Sequence, residues 1–236
     1  MADAPRTLRV GGLAPFSAAD YPGHLAAVVF CQGCAWRCGY CHNPHLLARR
    51  GASELSWHDV LAFLERRRGL LDAVVFSGGE PTLQPALPGA MCAARGLGFN
   101  IGLHTAGMAP RRLAAALPLT DWVGMDIKAP FAEYPRITGV RDSGSAALAS
   151  ARMILASGVA HEFRTTVHPV LLSSPTLQRL ADELAGLGAR EYALQQFRAT
   201  GCTAPDLAGA LEPDYPGPAL TSRLAGLFPG FAVRPA

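Results

Sequence analysis

The stretch that decides the fold of this chain runs from Cys31 to Pro44 and reads Cys-Gln-Gly-Cys-Ala-Trp-Arg-Cys-Gly-Tyr-Cys-His-Asn-Pro. Four of the six cysteines of the chain lie in its first eleven residues. Cys34, Cys38 and Cys41 have the spacing C-x₃-C-x₂-C. Thiolates are soft ligands that select iron–sulfur clusters, zinc or copper(I) over hard metals. Three thiolates so spaced can hold three irons of a cubane [4Fe–4S] cluster and leave the fourth iron open for a substrate.

Other uses of the cysteines fit this spacing less well. A zinc site could pair Cys31 and Cys34 with Cys38 and Cys41, but structural zinc sites usually place a dozen or more residues between such pairs. A ferredoxin cluster with four thiolates needs C-x₂-C-x₂-C and a remote fourth cysteine. A disulfide framework is not expected in a chain of this size without a sign of secretion. The open-site cluster is therefore the favoured interpretation.

The cysteine spacing, with an aromatic residue before the last cysteine, resembles the signature of the radical S-adenosylmethionine (radical SAM) superfamily. The continuation Cys-His-Asn-Pro, the earlier Asp-Tyr-Pro-Gly and the later Ser-Gly-Gly-Glu-Pro-Thr-Leu-Gln are similar to its activase branch. Within that branch the chain resembles the activating proteins of anaerobic ribonucleoside-triphosphate reductase and, more distantly, of pyruvate formate-lyase. The resemblance extends from about Asp20 to Arg198.

The resemblance implies a first group of cofactor contacts near the cluster. Gly78, Gly79 and Glu80 resemble the motif that binds the amino group of SAM, and glycine lets the backbone approach a ligand closely. On its own this motif would indicate only a tight turn after a strand. Tyr40 and His42 flank the last cluster cysteine, and the resemblance places the Tyr40 ring against the adenine.

A second group of implied contacts follows later strands. Asp126 and Lys128 are two residues apart at a strand end, so their side chains share a face. The resemblance assigns Lys128 to the SAM carboxylate and Asp126 to the ribose or a nearby cation, whereas a buried ion pair is the structural alternative. His104 stands where activases commonly have an acidic residue, and His168 is either a ligand contact or a core histidine.

The function implied by the resemblance is that of an activase. Reductive cleavage of SAM at the [4Fe–4S] cluster, with flavodoxin or ferredoxin as electron donor, would give a 5′-deoxyadenosyl radical that takes hydrogen from a glycine of a partner enzyme. That partner is expected to be anaerobic ribonucleotide reductase. The alternatives are a radical SAM enzyme acting on a small molecule, such as a deazapurine synthase, and a non-catalytic metal-binding scaffold, which the departure at His104 keeps open.

Composition sets limits on these functions. The chain has 236 residues, of which 50% are hydrophobic and 17% charged, as in a globular domain. A net charge of +3 without a long basic run does not favour nucleic acid as a partner. The apolar runs are too short to span a bilayer, and residues Met1–Leu8 do not resemble a signal peptide. A cytoplasmic location is expected, where thiols stay reduced.

Six apolar strand-like runs alternate with helical stretches, and nearly every polar or glycine-rich motif follows directly after a strand. Such alternation predicts a parallel sheet with right-handed crossovers. Active sites of barrels and open α/β sheets lie at the carboxyl ends of their strands. The predicted fold is an α/β, open, partial (β/α)₆ TIM-like barrel, with a flat doubly wound sheet as the alternative. The predicted divisions are a lead-in over 1–20 with a strand at Thr7–Gly12, the core over 21–200, and a tail over 201–236 packed on the core.

Overall fold

The structure is a computed structural model that describes residues 7–208, 212 and 214–235. All strands of the described residues belong to one sheet, in which spatial order follows chain order. The strands are β1 (Val10–Ser17), β2 (Ala26–Cys31), β3 (Ala73–Gly78), β4 (Asn100–Thr105), β5 (Trp122–Asp126), β6 (Ala160–Val167), β7 (Glu191–Gln196) and β8 (Gly230–Arg234). The strands β2 to β8 are parallel, and β1 pairs antiparallel with β2.

Helices connect consecutive parallel strands. They are α1 (Trp57–Glu65), α2 (Leu87–Gly96), α3 (Pro110–Ala116), α4 (Tyr134–Thr138), α5 (Ser143–Ser157), α6 (Ser174–Gly186), α7 (Pro205–Ala208) and α8 (Pro218–Leu227). The order of the sheet and these crossovers confirm the predicted α/β fold, an open sheet of the partial TIM-barrel type.

Two strands lie outside the six that were predicted. β8 extends the sheet beyond β7, and Arg234 of β8 forms an ion pair with Glu162 of β6. β1 begins and ends later than the predicted strand over Thr7–Gly12, because its pairing with β2 runs from Val10 opposite Cys31 to Ser17 opposite Ala26. A Cβ atom at Gly11 would lie 2.3 Å from Leu46 Cδ2, so a larger residue there would require the Leu46 side chain, which packs β1 on the cysteine loop, to shift.

The sheet buries both of its faces, as expected for parallel strands covered by helices. Successive side chains along a strand point to opposite faces. On the face towards the helices lies the main core, which includes Val29 and Phe76. On the concave face a smaller cluster of Ala26, Val28, Ala73 and Val75 packs with Tyr21 and Trp122, whose rings stack with centroids 5.3 Å apart. Apolar side chains thus fill the base of the barrel, and the polar residues lie at the carboxyl ends of the strands.

No helix among the described residues has both the length and the apolar character needed to cross a bilayer.

Candidate active site

The cysteine loop follows β2 and is held in place by backbone hydrogen bonds. The amide of Gly33 donates to the carbonyl of Leu46 at 2.8 Å, and the amide of Arg37 donates to the carbonyl of Thr138 at 2.9 Å. Trp36 is buried, and its ring meets that of Tyr134 edge-on at 5.8 Å. Trp36 thus anchors the loop between its cysteines, a role that the sequence alone did not indicate.

The three cysteines of the triplet are partly buried, and Cys34 and Cys38 pack against the main core. Burial raises the pKa of the Cys34 thiol to about 11 and also raises the pKa of Cys38, against the opposing effect of Lys128. At neutral pH both are therefore thiols in the absence of metal. Binding of iron would have to release their protons, which makes metal affinity dependent on pH.

The cysteine triplet supplies soft thiolate donors, the kind of ligand that holds iron–sulfur clusters. Among the described residues, no three Cys, His, Asp or Glu side chains converge in the way that the ligands of one metal ion do. In a cubane each thiolate binds a different iron, so three thiols on one loop need not meet at a point. Three half-buried thiols on an anchored loop suit that arrangement.

The glycine-rich segment after β3 packs directly on the start of the cysteine loop. The amide of Gly79 donates to the carbonyl of Cys31 at 2.9 Å, and that of Glu80 donates to Gly33 at 2.9 Å. A Cβ atom at Gly78, where φ is +107°, would lie 2.5 Å from the amide nitrogen of Cys31. At Gly79 it would lie 2.4 Å from the carbonyl oxygen of Gly33. These glycines are thus needed for close packing of two backbones, whatever ligand approaches them.

The substitution Gly78→Ala should destabilise the protein by about 2–4 kcal/mol, since it combines a strained φ with a backbone clash. Gly89→Ala is the matched control, because Gly89 lies in α2 with nothing within 4 Å of its added Cβ. That control should be stabilising by up to about 1 kcal/mol through helix propensity. Urea denaturation of the metal-free proteins measures both, and equal stability of the two variants would contradict this packing.

The carboxylate of Glu80 is fully buried and holds the ends of β3 and β4 together. Its Oε1 accepts hydrogen bonds from the Thr82 amide and hydroxyl, at 3.1 and 2.6 Å, and from the Thr105 hydroxyl at 2.7 Å. Its Oε2 accepts from the Ala106 amide at 2.8 Å. Burial raises the pKa of Glu80 even though these donors act in the other direction. With so many protein donors, this carboxylate positions the glycine-rich segment.

Lys128 is the only lysine in the chain and lies buried beside the cysteine loop. Its Nζ is 3.4 Å from the hydroxyl of Tyr40, 5.3 Å from the centre of the Tyr40 ring and 3.8 Å from Oδ2 of Asp126. Burial would lower the pKa of Lys128, but the nearby Tyr40, Cys38 and Asp126 outweigh it and raise the pKa well above its usual value. The side chain is therefore a permanent cation close to the triplet.

Asp126 joins Lys128 to a second buried cation. Its Oδ1 accepts from Nε of Arg164 at 3.2 Å and lies 3.1 Å from Nη2 of the same residue. Burial would raise the pKa of Asp126, but Arg164 and Lys128 together lower it. The Asp126 side chain is 39% exposed, against 7% for Arg164 and 9% for Lys128. This carboxylate thus remains ionised, held between two cations, with part of its surface accessible.

Arg164 also contacts His104, in an arrangement that the sequence did not reveal. Nε2 of His104 lies 3.1 Å from Nη1 of Arg164 and 2.8 Å from the carbonyl of Asp20, and Nδ1 lies 3.1 Å from the hydroxyl of Ser77. Gly124 leaves room for the guanidinium, since a Cβ there would lie 2.8 Å from Arg164 Cζ. Burial and then Arg164 lower the pKa of His104 to about 4. His104, at which the chain departs from the activase pattern, is therefore a neutral imidazole.

This neutral histidine predicts a dependence of stability on pH. The pKa of His104 falls from 6.5 in the unfolded chain to about 4 in the folded protein, so the unfolded chain binds more protons between these values. The free energy of unfolding should therefore drop as the pH falls from 6.5 to 4, by on the order of 3 kcal/mol from this group. His104→Gln should remove this part of the slope in urea denaturations of the metal-free protein over that pH range. An unchanged slope would contradict the assignment.

The two remaining predicted histidines contact the backbone of the C-terminal part of the chain. Nε2 of His42 lies 3.0 Å from the carbonyl of Arg198, which brings the residues after β7 to the cysteine loop. Nε2 of His168 lies 2.9 Å from the carbonyl of Leu207, and its Nδ1 accepts from the Val170 amide at 3.2 Å. His168 is 1% exposed and uses both ring nitrogens within the protein, which favours a core histidine over a ligand contact.

Gln84, at the end of the glycine-rich motif, connects three segments around the site. Its Nε2 donates to the carbonyls of Arg9 and Gln32, at 2.8 and 3.0 Å, and its Oε1 accepts from the Arg9 amide at 2.8 Å. The position of Gln84 directly after a glycine-rich turn could have indicated a role near the site. Its hydrogen-bond partners could not be predicted, because they are distant in sequence.

Comparison with known proteins shows the family to which this chain belongs. The family model for the radical SAM superfamily matches residues 28–184. A provisionally named glycyl-radical enzyme activating enzyme of Methanocaldococcus jannaschii is 30% identical over 197 residues, which are 80% of this chain and 79% of that protein. The pyruvate formate-lyase-activating enzyme of Clostridium pasteurianum is 36% identical over 125 residues, or 51% of this chain and 52% of the relative.

Other similar proteins carry different names. The PqqA peptide cyclase of Gluconobacter oxydans is 34% identical over 177 residues, covering 71% of this chain and 48% of that one. Streptococcus suis SuiB bound to the precursor peptide SuiA superposes with a TM-score of 0.64 at 14% identity, over 86% of this chain and 47% of SuiB. Escherichia coli QueE gives 0.54 at 20% identity, over 86% and 91% of the chains. The chain thus spans about half the length of several relatives, and the solved structures support the fold alone.

Proposed function

Because this chain belongs to the radical SAM superfamily, we propose that it is an activase that generates a glycyl radical on a partner enzyme. The cofactors of the superfamily are a [4Fe–4S] cluster and SAM. The observation that carries the proposal is the 30% identity with the activating enzyme of M. jannaschii, since the match covers 80% of this chain and 79% of that protein. The partner we favour is anaerobic ribonucleoside-triphosphate reductase, in keeping with the motifs that follow the cysteines.

The bound cofactors would supply reductive cleavage of SAM and the hydrogen abstraction that follows from it. We assign the cluster to the thiolates of Cys34, Cys38 and Cys41. Their loop is anchored before and within the triplet, by Gly33 and by Trp36. Such anchoring holds the thiols in place before iron arrives, which reduces the entropy lost on binding.

The ammonium of Lys128 would hold the carboxylate of SAM. It is charged at neutral pH, lies close to Cys38 and has a partly exposed acid, Asp126, as its neighbour. The Tyr40 ring lies under the same ammonium, and we assign it to the adenine, in line with the stacking that aromatic rings favour. Since the carboxylate of Glu80 is bonded within the protein, the amino group of SAM would be met by backbone carbonyls beside Gly78 and Gly79.

The presence of His104 instead of an acidic residue would remove one negative charge near the SAM site. Where the activase pattern has an acidic residue, this chain has a neutral imidazole, and the positive charge beside Asp126 comes from Arg164 and Lys128. Asp126 is therefore neutralised without a bound cation. We expect activity to be independent of the choice of sodium or potassium in the buffer, and a requirement for one of these ions would contradict this assignment.

A second candidate function is modification of a peptide, which the PqqA peptide cyclase favours with 34% identity over 71% of this chain. In both candidates the radical acts on a polypeptide, and the open sheet, with β1 and β8 as its edges, would leave a side of the barrel through which a loop enters. A small-molecule substrate remains the third possibility raised by the sequence.

One experiment separates these candidates. The chain is reconstituted anaerobically with iron and sulfide, reduced with dithionite, and given SAM with the anaerobic ribonucleotide reductase of its own genome. The activase proposal expects 5′-deoxyadenosine in proportion to a glycyl radical detected by electron paramagnetic resonance. Formation of 5′-deoxyadenosine without a glycyl radical, together with a mass change in a peptide substrate, would instead support the second candidate.

A further inference from the structure

Tyr134 is a fully buried tyrosine beside the site, and the proposed function gives it no role. It is the first residue of the short helix α4 and follows Lys128 by six positions. Burial raises the pKa of Tyr134, so its hydroxyl group is protonated and uncharged at neutral pH. A buried hydroxyl needs a hydrogen-bond partner, because leaving it unpaired costs free energy. The partner of this hydroxyl indicates what the residue does.

The hydroxyl group of Tyr134 holds the backbone of Lys128. The amide of Lys128 donates to the hydroxyl oxygen at 3.1 Å. Strand β5 ends at Asp126, so Lys128 lies beyond the sheet, and a side chain supplies the acceptor for its amide. This hydrogen bond fixes the point of the backbone from which the Lys128 side chain extends towards Tyr40 and Asp126.

The ring of Tyr134 contacts the cysteine loop between two cysteines of the triplet. Its centre lies 5.8 Å from that of the Trp36 ring, and the two ring planes meet at 76°. This edge-to-face geometry is one that aromatic pairs prefer. Trp36 is itself buried and lies between Cys34 and Cys38 in the sequence. One side chain thus contacts both the loop that we assign to the cluster and the residue that we assign to the SAM carboxylate.

Further contacts hold the helix of Tyr134 in place. The carbonyl of Thr138 accepts from the Arg37 amide at 2.9 Å, which is a second contact of α4 with the cysteine loop. The Thr138 hydroxyl donates to the Tyr134 carbonyl at 3.0 Å and lies 2.7 Å from the hydroxyl of Ser143 in α5. The ring of Phe131 stacks on that of Tyr134, with centres 5.8 Å apart. The Tyr134 hydroxyl therefore meets Lys128 from a fixed position.

We propose that Tyr134 is a positioning residue that fixes the ammonium of Lys128 relative to the cysteine loop. The proposal rests on the proposed function, because it takes Lys128 as the contact for the carboxylate of SAM. The ammonium can meet a SAM molecule bound at the open iron only if its distance from the cysteine loop is set. A tyrosine that served only the core would stabilise the fold without determining where this ammonium lies.

The test compares Tyr134→Phe with Tyr215→Phe. Tyr134→Phe removes the hydroxyl group and keeps the ring on Trp36. Tyr215→Phe is the matched control, because Tyr215 is also buried and its hydroxyl donates to a backbone group, the carbonyl of Leu172. Each variant loses one hydrogen bond between a buried hydroxyl and the backbone, so both should lower the urea midpoint of the metal-free protein. Only Tyr134→Phe should displace Lys128.

The first readout needs neither the cluster nor SAM. Lys128 is the only lysine of the chain, so its ε-carbon gives one signal in protein labelled with ¹³C-lysine. The ammonium lies 5.3 Å from the centre of the Tyr40 ring, and the ring current makes this signal sensitive to small displacements. We expect the signal of metal-free Tyr134→Phe to shift by more than its line width, and that of Tyr215→Phe to coincide with wild type. Coincident signals in all three proteins would overturn the proposal.

The second readout is the dissociation constant of SAM for the reconstituted proteins, measured by calorimetry. We expect Tyr134→Phe to raise this constant about tenfold with its iron content unchanged, and Tyr215→Phe to stay within about twofold of wild type. If Lys128→Met loses affinity for SAM but Tyr134→Phe does not, the proposal is overturned. If neither variant loses affinity, the assignment of Lys128 to SAM fails, and the ¹³C signal alone decides whether Tyr134 positions the ammonium.

A third variant, Trp36→Phe, tests the connection to the cysteine loop. It keeps an aromatic ring but reduces the contact with Tyr134. We expect it to shift the ¹³C signal of Lys128 when the Tyr134 hydroxyl is present, and to add no further shift in the double variant with Tyr134→Phe. An equal shift in both backgrounds would overturn the proposal, because the effect would not pass through Tyr134. If Tyr134→Phe does not fold, an unshifted signal in Trp36→Phe overturns it instead.

Discussion

Replacing Cys34, Cys38 or Cys41 by alanine is expected to abolish formation of 5′-deoxyadenosine and the absorbance of the reconstituted cluster. Each thiolate would hold a separate iron, and two thiolates cannot retain a cubane with an open corner. The loss of activity should be at least about a hundredfold, since no other ligand can take the missing position. Iron content, visible absorbance and product formation measure it after anaerobic reconstitution.

The matched control is Cys92→Ala. Cys92 is exposed on α2, away from the cysteine loop, and its replacement should leave iron content and activity unchanged. Cys31 tests the boundaries of the triplet. Its thiol is fully buried at the end of β2, and burial raises its pKa further than that of Cys34. Cys31→Ser should therefore keep the cluster. The assignment of the cluster to the triplet would be contradicted if Cys31→Ser lost the cluster while Cys34→Ala retained it.

Lys128→Met is expected to weaken binding of SAM by about a hundredfold while leaving the cluster in place. The variant keeps the length and apolar stem of the side chain but removes the charge that we assign to the carboxylate of SAM. Asp126 remains paired with Arg164 at 3.1 Å, so the variant does not leave a buried carboxylate without a cation. Loss of a charge-assisted contact in a buried site commonly costs about 2–3 kcal/mol, which corresponds to this factor.

The single lysine provides a direct measurement of this contact. In protein labelled with ¹³C at the lysine ε position, Lys128 gives the only side-chain signal of that type. Addition of SAM should shift this signal in the reconstituted wild type, with a dissociation constant that matches calorimetry. Lys128→Arg is the control, because it keeps the charge but replaces a compact ammonium with a planar guanidinium. This variant should recover part of the affinity for SAM that Lys128→Met loses. A signal that does not respond to saturating SAM would remove Lys128 from the site.

The features that the sequence predicted well are those encoded by neighbouring residues. The cysteine triplet lies within eight residues, and its spacing favoured the iron–sulfur cofactor that the superfamily uses, while the assignment of these three thiols as its ligands stays a prediction. The strands β2 to β7 could be located because each apolar run is buried on both faces and ends in a polar or glycine-rich segment. The proximity of Asp126 and Lys128 followed from the alternation of side chains at a strand end.

The features that were not predicted depend on contacts between distant segments. His104 lies 60 positions from Arg164 and 84 from Asp20, so the sequence showed a departure from a motif but not the partners that make this imidazole neutral. The tight packing of Gly78 and Gly79 on the cysteine loop likewise requires the register of β2 against β3.

The most direct test of the central claim is an electron paramagnetic resonance measurement on the complete system. The reconstituted chain, reduced with dithionite, is mixed with SAM and anaerobic ribonucleotide reductase, beside an identical mixture that contains the Cys38→Ala variant. We expect the doublet of a glycyl radical only in the mixture with wild-type protein, and we expect it to be lost when the partner's glycine is replaced by alanine. Cleavage of SAM without any radical on the partner would contradict the activase function, and a glycyl radical formed with the Cys38→Ala variant would contradict the assigned cluster site.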